Sequence, residues 1–507
     1  MPPRCARGTI PLSFLYPSNA RIVSAAGHEL DKTMRYLTKP LNTIPLVLLG
    51  VLCGTSSVAL AQSAGSDELA EIRSMVEAMK TDYETRIAEL EARLAAAEQS
   101  ASRGSSVALR GGSVSAGNAF NPQISVILDG NYYHDELGGE GAALIGEAFQ
   151  PSHPGHGHDE HEHGGGQTNG MNLRTAEFAF TATVDPYFDA SAFIAIEGED
   201  IHLEEGWFAT RALPYGLRLK GGKFLSDVGY LNNKHEHQWD FADQNLAYLN
   251  LLGDHGLQDT GVQLTWLPDL PVYTLLGAEL LQGDQERVGA FVDDADERSD
   301  LGLADQEDGP RMFSVFAKLS PELGYDHTLQ VGGWYAHNRQ HQEIHDEARA
   351  EVGLEGQADL YGLDLVYKYD NAESYGKGDL SLQAEYLRSV KDLTVRGGDP
   401  LAIGESRKLT TDGLYVQGLY GFRPRWQAGL RYDALGLTNK VSGDASERFD
   451  SSDRWTAVLT WTPTEFSRFR MQYSYNDILT EAGTSETFNT IWLQFLMSLG
   501  THGAHQF

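Results

Sequence analysis

Five imidazoles and three carboxylates fall within one short tract: His153, His156, His158, Asp159, Glu160, His161, Glu162 and His163. Imidazole nitrogen and carboxylate oxygen both ligate divalent transition metals, so a tract of this composition reads as metal binding. Glycines among and after these residues make it a pliant collector rather than a fixed cage. Many similar ligands give avidity with little selectivity, so the tract does not separate zinc from copper or nickel.

A second group follows at His235, His237 and Asp240. On an extended segment the two imidazoles share a face, and Asp240 comes within reach after a turn. A third group, His337, His341 and His345, has a spacing of four, which would align it on one face of a short helix. Glu197, Glu199, Asp200, His202, Glu204 and Glu205 read as an acidic hairpin tip. Residues 283–310 carry ten Asp or Glu against two Arg, and the whole chain has a formal charge of −32. Such a surface gathers cations and repels nucleic acid. No nucleophile elbow, phosphate-cradling glycine loop or His-Glu-x-x-His run is present, so the reading is of a protein that is not an enzyme and requires no cofactor. Zinc or another divalent cation is its expected ligand or cargo.

Strands must position these residues. From about residue 122 the apolar side chains recur with a period of two. Trp426, Ala428, Leu430 and Tyr432 alternate with Gln427, Arg431 and Asp433. Phe469, Met471, Tyr473 and Tyr475 alternate with Arg468, Arg470, Gln472 and Asn476. Leu380, Leu382, Ala384 and Tyr386 oppose Ser381, Gln383 and Glu385. Charge on the second face of successive strands predicts a water-facing lumen, hence an antiparallel transmembrane β-barrel of about sixteen strands. Arg218, Lys220, Arg431, Asp433, Arg468 and Arg470 are the expected pore-lining charges. Turns such as Asp185-Pro186 and Pro214-Tyr215-Gly216 alternate with long connections at 135–172, 225–258, 283–310, 338–357, 390–410 and 435–453. That alternation predicts short periplasmic turns and long outer loops.

The segment before the barrel reads in three parts. Residues 1–61 look like an extended start followed by an export signal. Its best start is Met34, its apolar stretch is Ile44 to Cys53, and its cleavage pattern is Ala59-Leu60-Ala61. Residues 66–98 repeat apolar positions every seven (Leu69, Val76, Tyr83, Leu90, Ala97), a short coiled coil that predicts self-association, most simply as a trimer. Residues 99–121 are Ser-, Gly- and Ala-rich and read as a linker, leaving 122–507 for the barrel. Both cysteines, Cys5 and Cys53, fall in the part expected to be removed, so no disulfide is expected.

The barrel pattern, the coiled coil, Gly222-Lys223-Phe224 before the third loop, and the ending Gly503-Ala504-His505-Gln506-Phe507 together resemble one group. It is the phosphate-selective-type porin superfamily of Gram-negative outer membranes. Within it the chain is similar to the zinc-regulated outer-membrane proteins often labelled TonB-dependent receptors. The resemblance implies an outer-membrane, homotrimeric porin in contact with lipid, with Phe507 read by the barrel-assembly machinery. It implies a third loop folded inward to narrow the pore, which would bring His235, His237 and Asp240, and beyond them Asp243, to the constriction. The implied activity is passage of small solutes, with uptake of zinc or another divalent metal. A closed or plugged barrel acting as a surface metal binder or adhesin, and a general or sugar porin, are the alternatives.

Overall fold

In the computed structural model the described residues are 122–151, 167–198, 200–346, 349–444, 446–481 and 483–500. The export signal, the coiled coil at 66–98, the linker, the histidine tract at 153–163 and Phe507 lie outside them.

Alternation becomes strand because each residue meets opposite solvents on its two sides. The strands are β1 (Gln123–Asp135), β2 (Gly170–Thr183), β3 (Phe188–Glu197), β4 (Asp200–Thr210), β5 (Leu217–Leu225) and β6 (Gln258–Trp266). Next come β7 (Tyr273–Leu281), β8 (Met312–Ser320), β9 (His327–Asp346), β10 (Glu351–Tyr369), β11 (Leu380–Gly397) and β12 (Ser406–Arg423). The last are β13 (Trp426–Leu435), β14 (Lys440–Gly443), β15 (Glu447–Arg448), β16 (Ser452–Thr464), β17 (Ser467–Leu479) and β18 (Ser485–Gly500). Sixteen of them form an antiparallel meander. It closes where β1 pairs with β18, from Ser125 opposite Gly500 to Asp135 opposite Thr490. The remaining two, β14 and β15, are a small hairpin in the β13–β16 connection, with β14 paired to the far end of β12. The expected count of about sixteen is therefore met.

Burial is inverted relative to a water-soluble protein. In β17 Phe469, Met471, Tyr473 and Tyr475 are exposed, while Arg470, Gln472, Ser474 and Asn476 are buried. In β10 Leu363 is exposed and Asp364 buried; in β11 Leu382 is exposed and Gln383 and Glu385 buried. An apolar outer face with a polar inner face is the arrangement of a barrel standing in lipid. Tyr187, Tyr215, Tyr325 and Tyr375 stand exposed at the short turns, where amphipathic rings suit a membrane interface. Among the described residues no helix is long and apolar enough to cross a membrane.

Two expected loops are mostly strand. Residues 338–346 continue β9, 351–357 open β10, 390–397 extend β11 and 406–410 open β12. These extensions lack the aliphatic alternation because they rise clear of the apolar belt. Val352, Leu354, Leu393, Val395, Ala402 and Leu409 instead form a small core of their own. The same fact corrects the helix expected for His337, His341 and His345, all of which lie on β9.

Candidate functional site

The largest apolar cluster lies within the barrel. It joins Leu246, Ala247, Tyr248, Leu251 and Leu252 of the third loop to wall residues Leu360, Leu387, Tyr415, Leu435, Ile478 and Phe488. The loop, residues 226–257, is held at its neck by Asn232. Its amide donates to Ser226 O and Leu257 O, and its Oδ1 accepts from Leu257 N at 2.7 Å. Gly229 then turns with φ +62°, and a Cβ there would stand 2.5 Å from Glu385 Oε2. Only glycine fits. Farther on, Asn245 caps the helix Leu246–Leu252 by accepting from Tyr248 N at 2.9 Å. That helix lies so close to β12 that a Cβ on Gly413 would come within 2.6 Å of Ala247 Cβ.

Two anchors pull the loop across the lumen from its root between β5 and β6. Glu385 in β11 accepts from Tyr230 N and Leu231 N at 3.0 Å each, from Tyr248 Oη at 2.8 Å, and from Tyr415 Oη. Asp243 bridges two strands of the opposite wall, accepting from Arg431 Nη2 at 2.7 Å and Arg454 Nη1 at 2.9 Å. Asp433 accepts the Nε–H of both arginines, at 3.0 and 2.8 Å. Gln472 in β17 takes the amides of this stretch too, accepting from Ala242 N at 2.8 Å. The first loop adds a contact, Gln150 Nε2 donating to Asn250 O at 2.7 Å.

Burial opposes the charge on Asp243, but Arg454 and Arg431 outweigh it and hold the carboxyl below its ordinary 3.8. A depressed acid contributes fully above that ordinary value and loses its contribution as pH falls through the lowered one. This anchor therefore does not weaken between about pH 8 and about pH 5. Amide-exchange protection of the loop, corrected for intrinsic rates, is expected to be the same at about pH 8 and at about pH 5. Protection lost between those two values would dismiss Asp243 as an anchor.

Between these anchors the loop presents its histidines to the β2–β4 wall. His235 Nδ1 lies 3.1 Å from Glu204 Oε2 and 3.7 Å from Glu177 Oε2, and His235 Nε2 lies 2.7 Å from Glu205 Oε1. His237 Nδ1 is 3.1 Å from Glu177 Oε2. The two imidazoles stack, centroids 5.8 Å apart, and Phe193 covers the other face of His235 at 4.6 Å. One ligand atom from each of Glu177, Glu204 and His235 falls within 4.8 Å of the other two. Burial works against charge on His235, yet its hydrogen bonds to Glu204 and Glu205 and the charge of Glu177 hold its pKa well above 6.5. Desolvation pushes the neighbouring Glu236 carboxyl up to about 7. Glu197, Asp129 and Glu204 add to that push, although Arg174 pairs with Glu236 at 2.9 Å. Carboxylates are crowded here beyond the nearby positive charge, which suits a cation.

The sequence-predicted residues divide accordingly. His235 and His237 do come together. Asp240 does not join them: it accepts from Gln417 Nε2 in β12 at 2.9 Å, because the short turn Glu236–Gln238 carries the chain away. Lys220 pairs with Asp227 at 3.7 Å, and exposed Arg218 stands over Trp207. Arg468 and Arg470 donate to loop carbonyls, Arg468 to Trp239 O at 3.2 Å and Arg470 to Phe241 O at 3.1 Å. Arg431, Arg468 and Arg470 thus grip the loop, and Asp433 holds Arg431 in place. His341 and His345 flank Glu343 at 2.7 and 2.8 Å, with Lys391 on the same carboxylate, and His337 meets Asp359 at 2.9 Å. Sequence reasoning missed Glu177 as a partner of the histidines and Glu385 as an anchor of the loop. The available signal was a carboxylate on the inward face of β2 and of β11.

A space of about 30 Å³ is bordered by Glu204, His235, Asp254 and His255. A larger one of about 340 Å³ is bordered by His237, Asp240, Arg468, Arg470 and Phe466. The two imidazoles thus border different spaces.

An uncharacterized protein of Aquifex aeolicus is 35% identical over 398 residues, covering 77% of this chain and 80% of its own length. The chain belongs to that protein's family. No protein-family model matches the sequence. Among solved structures, OmpT, an outer membrane protein of Vibrio cholerae, is similar with a TM-score of 0.44 at 10% identity, covering 74% of this chain and 96% of its own. OprB of Pseudomonas putida gives 0.44 at 12% identity over 75% and 94%. An anion-selective porin from Comamonas acidovorans gives 0.43 at 10% over 74% and 98%.

Proposed function

We propose that this barrel is a porin-type channel of a Gram-negative outer membrane, not an enzyme, and that its cargo includes zinc or another divalent metal cation. One observation carries the channel reading: a closed barrel with an apolar outside and charged inside, its lumen narrowed by an inward loop. The metal reading is supported by the histidine tract at 153–163, the acidic 283–310 connection and the carboxylate–imidazole cluster on the third loop. An acidic mouth raises the local cation concentration, and a histidine collector retains what arrives. The heptad repeat of apolar residues in the sequence 66–98 supports a homotrimer.

The test is conductance of the refolded chain in planar bilayers, with and without micromolar zinc. Triplet steps that zinc blocks or biases, and that lose this response when residues 153–163 are deleted, are the expected result. Triplet steps indifferent to zinc would leave a general or sugar porin. The loop's buried contacts on opposing walls favour a second reading, a closed barrel that displays a metal-binding surface. No conductance from a well-folded barrel would select it.

A further inference from the structure

The third loop and the β2–β4 wall together offer a metal site that neither contains alone. We propose that one divalent transition-metal cation binds between Glu177 of β2, Glu204 of β4 and His235 of the loop, and that in doing so it fastens the loop to that wall. The cargo role of this ion rests on the metal reading above; the site itself does not.

Four observations carry it. A zinc-class ion held by nitrogen and oxygen at 2.0–2.1 Å keeps its ligands about 3.3 Å apart in a tetrahedron. His235 Nδ1 stands 3.1 Å from Glu204 Oε2 and 3.7 Å from Glu177 Oε2, so little adjustment is needed. The other ring nitrogen is bound by Glu205 at 2.7 Å. That is the carboxylate–imidazole–metal relay, which fixes the ring's orientation and tautomer and leaves Nδ1 to the metal. Glu205 is thereby a positioning residue. Glu177 is 3% exposed, and its Oε1 takes no hydrogen bond among the described residues. A buried carboxylate oxygen left unpaired is destabilising, and a cation would relieve it. His237, 3.1 Å from Glu177 Oε2, is placed as a fourth ligand or as a hydrogen-bond partner of that carboxylate.

Nitrogen and oxygen ligands without thiolate suit zinc, copper or nickel over calcium, which takes oxygen alone. With His237 kept as the hydrogen-bond partner of Glu177, three protein ligands leave a coordination position open, as exchangeable sites do and closed structural sites do not. Glu204 and His235 border the smaller space and His237 the larger.

The test uses the full-length chain carrying His153→Ala, His156→Ala, His158→Ala, His161→Ala and His163→Ala, so that the tract contributes nothing. Zinc is titrated against a chromogenic chelator, and cobalt(II) spectra report coordination number. One zinc per chain is expected, with cobalt absorption of four-coordinate intensity. His235→Ala and the near-isosteric Glu177→Gln should each weaken binding by at least about a hundredfold, and Glu205→Gln by about ten- to a hundredfold with the cobalt spectrum retained. Heat-modifiable migration on gels verifies that each barrel is closed. No zinc bound to the five-alanine chain, or binding indifferent to both His235→Ala and Glu177→Gln, overturns the site. Conductance of the same chain separates the two claims. A barrel that conducts but binds no zinc loses the site alone, and one that binds a zinc but never conducts loses the channel alone.

Discussion

Asp243→Ala is expected to release the third loop from the far wall and to raise single-channel conductance severalfold. Arg431 and Arg454 are almost wholly buried, and Asp243 is the loop carboxylate that joins them. Removing it leaves the two buried guanidinium groups with Asp433 at their Nε–H and with backbone oxygens of the loop, Asp243 O for Arg431 and Gln244 O for Arg454. Breaking a buried pair from one side costs about 3–5 kcal/mol, and these surviving contacts place this case at about 3 kcal/mol or below. Proteolysis between residues 239 and 252 should accelerate in parallel, giving a readout independent of conduction. Unchanged cleavage and unchanged conductance would show that the helix Leu246–Leu252 holds the loop without this anchor.

Glu385→Ala should act at the other end of the loop, with an effect of similar size. Its carboxylate collects two backbone amides of the loop, Tyr230 N and Leu231 N, and the hydroxyls of Tyr248 and Tyr415. All four donors lie in packed surroundings, so losing the acceptor leaves them unmet at about 1–3 kcal/mol each before relaxation. Relaxation of the loop recovers part of this, and about 3 kcal/mol remains, roughly a hundredfold in amide protection. Hydrogen exchange at Tyr230 and Leu231 is the direct measurement. The variant's barrel strands should keep their protection, because β11 retains its ladder with β10 and β12. Protection lost uniformly along β11 would mean that Glu385 holds the wall itself rather than the loop.

How far the sequence speaks depends on how local the physics is. Strands such as β13 and β17 were legible, because each side chain answers to lipid or to lumen one residue at a time. Their bounds, Trp426–Leu435 and Ser467–Leu479, fall close to the alternation. The extensions of β9 to β12 were not, since their apolar residues are few and pack into a small local core instead of lining the lipid face. The cluster was half legible. His235 and His237 are two residues apart and share a surface, whereas Glu177 lies 58 positions before His235 and reaches it only through barrel closure and loop inversion. Asp240 was taken for their partner on proximity along the chain. A turn at Glu236–Gln238 sends it to Gln417 instead, and the carboxylates that meet the imidazoles come from the wall.

The reach of the third loop also fixes an order of assembly. Its docking partners lie far downstream: Glu385 is 155 residues from Tyr230, and Arg454 is 211 residues from Asp243. Contacts so remote in sequence form late, because the intervening chain must first be confined at an entropic cost that grows with its length. Here that confinement is the wall itself, so the loop cannot seat until β11, β13, β16 and β17 are paired. The nascent barrel therefore passes through a stage with an empty, wide lumen, and the narrowing arrives as the final event. Barrel insertion and pore definition are thus separable steps in the life of this chain.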